Sequence, residues 1–304
     1  MQHKKFSRRQ FIQSSAALAG AAMLPVFGEK KLAAQVKRTA IDQVTLGKTG
    51  LKLSRLGIGA GTDSGSIQRA LGHEGFDRLF RYAYDQGITY IDTADGYKTH
   101  TWVQEAIKGL PREKLFIQSK MPGIPEHPLE EIDRYRKELG VEYIDSLLLH
   151  CKMKAEWDEK HKRIMDALDE AKEKGIIRAH GVSCHSLPAL TKAAQLDWVD
   201  VNLARINPQG AFVDTPGERW DSKSNASHVP AVVDQLKVMR KNNHGIIGMK
   251  LIGNGIFTDA EDREKAMRFA MQPGLVDAVV IGFKSTQEID ETLMRMNRAL
   301  AEQS

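Results

Sequence analysis

An α/β fold, a (β/α)8 TIM barrel with an N-terminal β-hairpin closing its bottom, is predicted by three observations. Eight short β-branched or apolar runs alternate with amphipathic segments over roughly 260 residues, as eight strand–helix units require. Ahead of the first run, two short alternating stretches flank Gly47 to Gly50, which is a hairpin signal. No Gly-x-Gly-x-x-Gly follows the first strand, which argues against an open doubly wound sheet. Gly57, Gly59 and Gly61 alternate there instead, as suits a strand crowded by something close to its backbone. The 304 residues, 41% of them hydrophobic, are enough for one full core, and no second domain or solenoid repeat is visible.

The first residues are not part of the fold. Ser7-Arg8-Arg9-Gln10-Phe11-Ile12-Gln13 resembles the twin-arginine export signal. A charge-free, small-residue stretch from Ser15 to Phe27 follows and is too short to span a membrane comfortably. Residues 1–28 are therefore expected to be a signal handled by the twin-arginine translocation machinery, with residues 29–42 a polar tether and 43–304 the barrel. That places the mature protein in the periplasm or another extracytoplasmic space. The net charge of +5 is modest, and Lys4, Lys5, Arg8 and Arg9 supply much of it. No basic stripe interleaved with aromatics exists, so nucleic acid is not an expected partner. Two cysteines are too few for a disulfide framework.

The strands expected are 56–59, 88–93, 115–120, 146–150, 179–183, 199–205, 245–249 and 278–282. Helices are expected over 74–86, 127–139, 161–174 and 229–241 among others. Gly87, Gly140 and Gly175 sit just past helix ends, where a left-handed residue stops a helix.

In such a barrel, chemistry belongs at the C-terminal strand ends. The second strand ends at Asp92, the third at Lys120 and the fourth at His150, and Tyr97 follows the second. Each alone is more simply a cap or a satisfied strand-end residue, but four complementary types on adjacent strand ends point to proton handling. A free phenol, with a pKa of about 10, is a poor donor at neutral pH, and a nearby ammonium lowers that value. Lys120 is expected to supply that charge, Asp92 to hold Lys120, and His150 to orient a substrate oxygen. Tyr97 is then the general acid or base for a carbonyl/alcohol pair, with hydride from a nicotinamide cofactor.

Leu46-Gly47-Lys48-Thr49-Gly50-Leu51, Asp92-Thr93-Ala94-x-x-Tyr97, Ser119-Lys120 and Leu149-His150 together resemble the aldo-keto reductase family, from about Val44 to Ala299. The resemblance implies a catalytic tetrad of Asp92, Tyr97, Lys120 and His150. It also implies an NADP or NAD cofactor extended across the barrel mouth.

Gly282-Phe283-Lys284-Ser285-Thr286 lies between the last strand and its helix, where backbone N–H groups favour phosphate. Lys284 suits a 2′-phosphate, whereas Glu288 would repel one. Ser285 and Glu288 also read as a capping box. NADP is preferred on balance, with NAD the alternative. Met249, Lys250 and Leu251 resemble the family's pyrophosphate loop. Gly59, Gly61, Asp92, Ser183, Cys184, Arg205 and Asn207 complete the expected cofactor contacts. Cys184 stands where the family usually has a carboxamide, Leu203 and Ile206 where it has glutamine and a ring-stacking tyrosine, and Thr292 where it has an adenine-side asparagine. A divergent branch is implied.

Cys151 and Cys184, beside His150 and His185, raise two further readings, a zinc site and a disulfide. Neighbours on one strand point to opposite faces, which disfavours zinc, and no metal is expected. The long polar loop 209–227, with Phe212, Asp214, Arg219 and Trp220, is expected to shape substrate choice, as is Trp157. Aromatics among polar groups suit a sugar or another polyhydroxylated carbonyl compound. An exported enzyme meets little free cofactor, so the cofactor is expected to be tightly retained. The rival readings are a metal-dependent barrel hydrolase or isomerase using His150 and His185, and a non-catalytic ligand-binding barrel. Oligomeric state is not legible.

Overall fold

A computed structural model describes residues 38–219 and 222–303; the expected export signal, most of the tether, and Trp220 lie outside the described residues. The strands are β1 (Gln43–Thr45), β2 (Lys52–Ser54), β3 (Leu56–Gly59), β4 (Tyr90–Asp92), β5 (Phe116–Met121), β6 (Ile144–Lys152), β7 (Ile177–Cys184), β8 (Val201–Arg205), β9 (Gly245–Met249) and β10 (Ala278–Ile281). The α-helices are α1 (Ser66–Arg69), α2 (Gly72–Asp85), α3 (His100–Ile107), α4 (Pro128–Leu139), α5 (Trp157–Lys160), α6 (Lys162–Glu173), α7 (Leu187–Gln195), α8 (Val229–Lys241), α9 (Ala260–Ala270) and α10 (Thr286–Ala301). Strands β3 to β10 pair in parallel and in sequence order, and β10 returns to β3 through Val279–Leu56 and Ile281–Ile58. The closed (β/α)8 barrel expected from the alternation is the fold.

Alternation along each strand divides the core into two layers. Tyr90, Phe116, Leu148, Ala179, Val201, Leu203, Ile247, Ala278 and Val280 fill the barrel interior. Residues one position out of phase, such as Ile58, Leu147, Leu149 and Val182, pack outward against helix residues including Phe76, Ile132, Leu168 and Leu236. Leu46, Leu51 and Leu53 of the hairpin join the interior layer, so β1 and β2 plug the bottom. Gly47, at φ +47°, lies so close to Gly245 that a methyl there would overlap backbone. Gly87, Gly140 and Gly175 all adopt the left-handed conformation that stops a helix.

Element boundaries move by at most two residues. The second strand pairs only over Tyr90–Asp92, and β6 runs on to Lys152 through an irregularity between Leu149 and Lys152. Pairing with neighbours sets these limits, and local propensity does not encode it. Residues 38–42, expected in the tether, pack onto the barrel. Ala40 is fully buried, its N–H donates to Asn297 Oδ1 at 2.8 Å, and Leu56 N–H donates to Ala40 O at 2.8 Å.

Candidate active site

Parallel register brings the expected strand-end residues together. Asp92 on β4 stands opposite Gln118 on β5, and Lys120 opposite Leu148 on β6, two residues short of His150. All of these face inward by alternation, at the C-terminal rim. Tyr97 closes a 3-10 turn, Asp95–Tyr97, ended by Lys98 at φ +57°. The turn is fixed on both sides: Arg134 of α4 donates to Asp95 at 2.9 Å, and Thr93 and Thr99 hydroxyls lie 2.9 Å apart. Gly61 lets the phenol ring lie close against backbone, since a methyl there would overlap the ring, and Arg69 donates to Tyr97 O.

Lys120 Nζ donates to Asp92 Oδ1 at 2.8 Å, to Oδ2 at 2.7 Å and to Thr93 O at 2.8 Å, and Lys120 is only 1% exposed. The ammonium sits 4.9 Å from the centre of the Tyr97 ring. Tyr97 Oη lies 3.5 Å from His150 Nε2, the rings meeting edge to face. The four groups thus share one pocket. Burial alone would lower Lys120, but Asp92 more than reverses that, so the ammonium persists. Burial and the Lys120 and Lys152 charges push His150 down to about 3, which leaves it neutral at neutral pH. One expectation is overturned. Burial lifts the Tyr97 phenol above its ordinary value, with Asp92 adding to the rise, and Lys120 offsets only part of it. In a dry pocket desolvation of the phenolate outweighs one ammonium already neutralised by Asp92.

From Asp92 and Tyr97 a cleft of about 540 Å³ runs over β3, β9 and β10 to the start of α10. Among the expected cofactor residues, Gly59, Gly61, Asp92, Met249, Lys250, Leu251, Gly282, Lys284 and Glu288 line it, as does Thr292. Lys250 Nζ donates to Asn254 Oδ1 at 2.8 Å, and burial together with Arg205 and Lys120 pushes it down to about 8. Ser285 Oγ caps α10 by accepting from Glu288 N–H at 3.3 Å, while Glu288 accepts from Lys284 N–H at 2.7 Å. Only the Ser285 half of the capping box therefore forms; Glu288 accepts from Lys284 N–H and not from Ser285 N–H, and takes one amide that a phosphate could have used.

Five expected contacts do not line this cleft: Ser285, which caps α10, and Ser183, Cys184, Arg205 and Asn207. Ser183 is buried in the barrel interior and Cys184 in the outer layer. Arg205 Nε donates to buried Asp214 at 2.7 Å, and Asn207 Nδ2 bonds the carbonyls of Ala211 and Lys250. Ile206 also packs outward, so it offers no stacking face. Trp157 is 1% exposed and donates to Ala189 O, so it is a core residue and not a substrate contact. Phe212, by contrast, is 43% exposed at φ +57°. Cys151, also at positive φ, and Cys184 are free thiols. Among the described residues one His/acid group has ligand atoms within 4.8 Å of each other: Asp95, His100 and Glu138. It includes neither His150 nor His185, and Arg134 donates to both of its carboxylates.

Sequence reasoning missed Thr62, Asn254, Arg263, Glu291 and Arg295 on the cleft wall. Glu291 accepts from Arg263 Nε at 2.7 Å and Arg295 Nε at 2.8 Å. The Arg295–Glu291 spacing was a visible signal of an i,i+4 pair, but only the packing of α9 on α10 turns that pair toward a cleft.

Comparison with known proteins comes down on one side. Residues 55–299 match the Aldo/keto reductase family, and residues 5–25 match the twin-arginine translocation pathway signal sequence. The chain is 33% identical to a 9,11-endoperoxide prostaglandin H2 reductase of Trypanosoma cruzi over 42% of its own length and 46% of the relative's. It is 27% identical to an NADH-specific methylglyoxal reductase of Escherichia coli over 55% and 59% respectively. The chain spans about half the length of the curated relatives it matches. The fold is shared with a holo aldo-keto reductase from Bacillus halodurans, at TM-score 0.65 and 16% identity over 86% of this chain and 96% of that one. It is also shared with an aldo/keto reductase from Klebsiella pneumoniae in complex with NADP and acetate, at TM-score 0.58 and 18% identity over 85% and 89%.

Proposed function

As the chain belongs to the aldo/keto reductase family, we propose that it is an NAD(P)-dependent oxidoreductase that interconverts a carbonyl compound and its alcohol. The observation that carries this reading is the meeting of Asp92, Lys120, Tyr97 and His150 at the inner end of one cleft. The cleft fits a dinucleotide: its volume of about 540 Å³ lies within the range of cofactor sites, and Gly59, Gly61 and Gly282 are among its lining residues. A nicotinamide dinucleotide, when bound, supplies the hydride that no side chain can carry. Gly59, Gly61, Asp92, Met249, Leu251 and Gly282 would form its walls. Lys250 would meet the pyrophosphate, and Lys284 and Arg295 the adenosine end.

This chain's own groups handle the proton. Tyr97, whose phenol stays protonated through the neutral range, donates Oη–H to the carbonyl oxygen. Neutral His150, with its proton on Nε2, gives that oxygen a second hydrogen bond without adding charge. Lys120, neutralised by Asp92, stabilises the phenolate left behind. Burial keeps water from competing for the same oxygen. NADP is preferred over NAD because Lys284, Arg263 and Arg295 outnumber Glu288 and Glu291 at the far end. A sugar or similar hydroxylated carbonyl is the proposed substrate class, supported by the exposed Phe212 within the polar loop after β8. The match over residues 5–25 supports export through the twin-arginine pathway to a periplasmic location, and with it a retained cofactor.

The test is turnover of 4-nitrobenzaldehyde with NADPH or NADH. Tyr97→Phe is expected to lower kcat by at least ~100-fold, the usual worth of a positioned acid, while nucleotide binding measured by fluorescence quenching persists. A Tyr97→Phe variant with wild-type turnover, or a chain that binds neither nucleotide, would overturn the reading.

A further inference from the structure

Beneath the proposed tetrad lies a buried polar group that its chemistry does not use. Gln118 and Tyr90 are both 0% exposed in the barrel interior. Gln118 Nε2 donates to Asp92 Oδ1 at 2.8 Å and to Tyr90 Oη at 2.9 Å. Both side chains are locked. Tyr90 fills the space that a methyl at Gly57 would occupy, and its ring meets Phe116 edge-on at 5.4 Å. Gln118 is the direct cross-strand partner of Asp92 on β4 and β5.

The other end of this amide identifies its purpose. Gln118 Oε1 is buried and has no hydrogen-bond partner among the described residues, and neither has the hydroxyl of Ser146, its cross-strand partner on β6. An interior glutamine kept only for packing would be better replaced by leucine, which leaves no orphaned carbonyl. The amide is oriented by what its N–H groups reach. Turned over, Oε1 would face the Asp92 carboxylate, acceptor against acceptor. The donor is therefore held toward Asp92, and the unpaired oxygen is the consequence.

We infer that Gln118, braced by Tyr90, is a positioning residue that fixes the Asp92 carboxylate and through it the Lys120 ammonium under the Tyr97 ring. This rests on the proposed tetrad. Asp92 Oδ1 receives both Gln118 and Lys120, Oδ2 receives Lys120, and the Tyr90 hydroxyl also reaches this carboxylate. Gln118 thus sets the rotation of the carboxylate about its own axis, and Lys120 follows both oxygens. Its N–H dipole also offsets part of the Asp92 charge that Tyr97 feels. Losing Gln118 acts on Tyr97 in one direction by both routes: a displaced ammonium and a barer carboxylate each disfavour the phenolate. The other titratable groups facing this pocket are His150 and Cys151 on β6, His185 after β7, and Lys250 after β9. Gln118 instead donates to Asp92 and Tyr90.

The experiment compares wild type, Gln118→Met and Tyr97→Phe as full chains, with 4-nitrobenzaldehyde reduction, 4-nitrobenzyl alcohol oxidation and nucleotide titration. Gln118→Met is expected to lower kcat about 10- to 100-fold, the effect of one charge-assisted hydrogen bond, with KM and nucleotide affinity within about twofold. The rising limb of the oxidation pH profile, which reports formation of the Tyr97 phenolate, moves up by ~0.5 pH unit or more. A Gln118→Met enzyme with unchanged kcat and an unmoved limb, while Tyr97→Phe is inactive, overturns this inference and leaves the tetrad standing. Tyr97→Phe at wild-type turnover fells both. Should Gln118→Met not fold, Tyr90→Phe carries the test: it removes the hydroxyl that braces Gln118 and also reaches Asp92, and a kcat and limb identical to wild type overturn the inference.

Discussion

Lys120 is an ammonium at 1% exposure whose charge is met by two carboxylate oxygens and one carbonyl. Removing it strands Asp92. Lys120→Met is therefore expected to destabilise the fold by about 3–5 kcal/mol, the cost of an uncompensated buried charge, as read by urea unfolding. Gly61 makes a separate, non-electrostatic demand. Gly61→Ala places a methyl in the Tyr97 ring, so kcat is expected to fall at least ~10-fold while unfolding changes by less than about 2 kcal/mol. Equal turnover in the two proteins would show that the ring is free to move. At the other end of the cleft, Glu288→Gln removes a negative charge and weakens its hold on the Lys284 amide. The kcat/KM ratio for NADPH over NADH is expected to rise by about 3- to 10-fold, and a fall in that ratio would contradict the placement of the 2′-phosphate.

At the scale of elements, the hairpin and the barrel bottom form one packed unit. Gly47 lies against Gly245 at the start of β9, at a left-handed φ, and Lys48 N–H donates to Asn243 O at 2.6 Å. Gly47→Ala is expected to cost at least ~3 kcal/mol in denaturant unfolding, from strain and overlap together, without altering KM, since the chemistry lies at the opposite rim. The strands and the hairpin were legible because β-branched runs and turn residues carry local preferences. The 38–42 segment was misjudged because its composition is polar. Only Ala40 is buried, and its place depends on Asn297, 257 residues away. Trp157 misled for the converse reason. An aromatic in a loop after a strand can face substrate or core, and α5 turns it inward.

For the molecule as a whole, acid sensitivity follows from its histidines. Burial holds His100 and His185 below their ordinary range, His150 at about 3 and His244 at about 4. An unfolded histidine binds its proton near pH 6.5, so the unfolded chain takes up more protons between that value and each folded value. Stability is then full above pH 6.5 and lost as pH falls, by about 1.4 kcal/mol per unit for each such histidine. Asp214, lifted to about 6 by burial, opposes with one proton, since its contribution is present at low pH and lost as pH rises through 6. The net expectation is a Tm that falls steadily from pH 6.5 to 4.5; a flat Tm across that interval would mean the histidines are not held neutral.

Residue order alone determined a great deal about this protein: eight strand–helix units, a leading hairpin, and an acid, a lysine and a histidine at successive strand ends with a tyrosine between. Those are local facts, set by periodicity, turn chemistry and the alternation of strand faces. Tertiary structure decided the rest. It put Arg263 and Arg295 on the cleft wall, turned Arg205 and Asn207 away from that wall, and paired Glu288 with the Lys284 amide. It also reversed the expected shift of Tyr97, because desolvation depends on everything packed around a group and not on its neighbours in sequence.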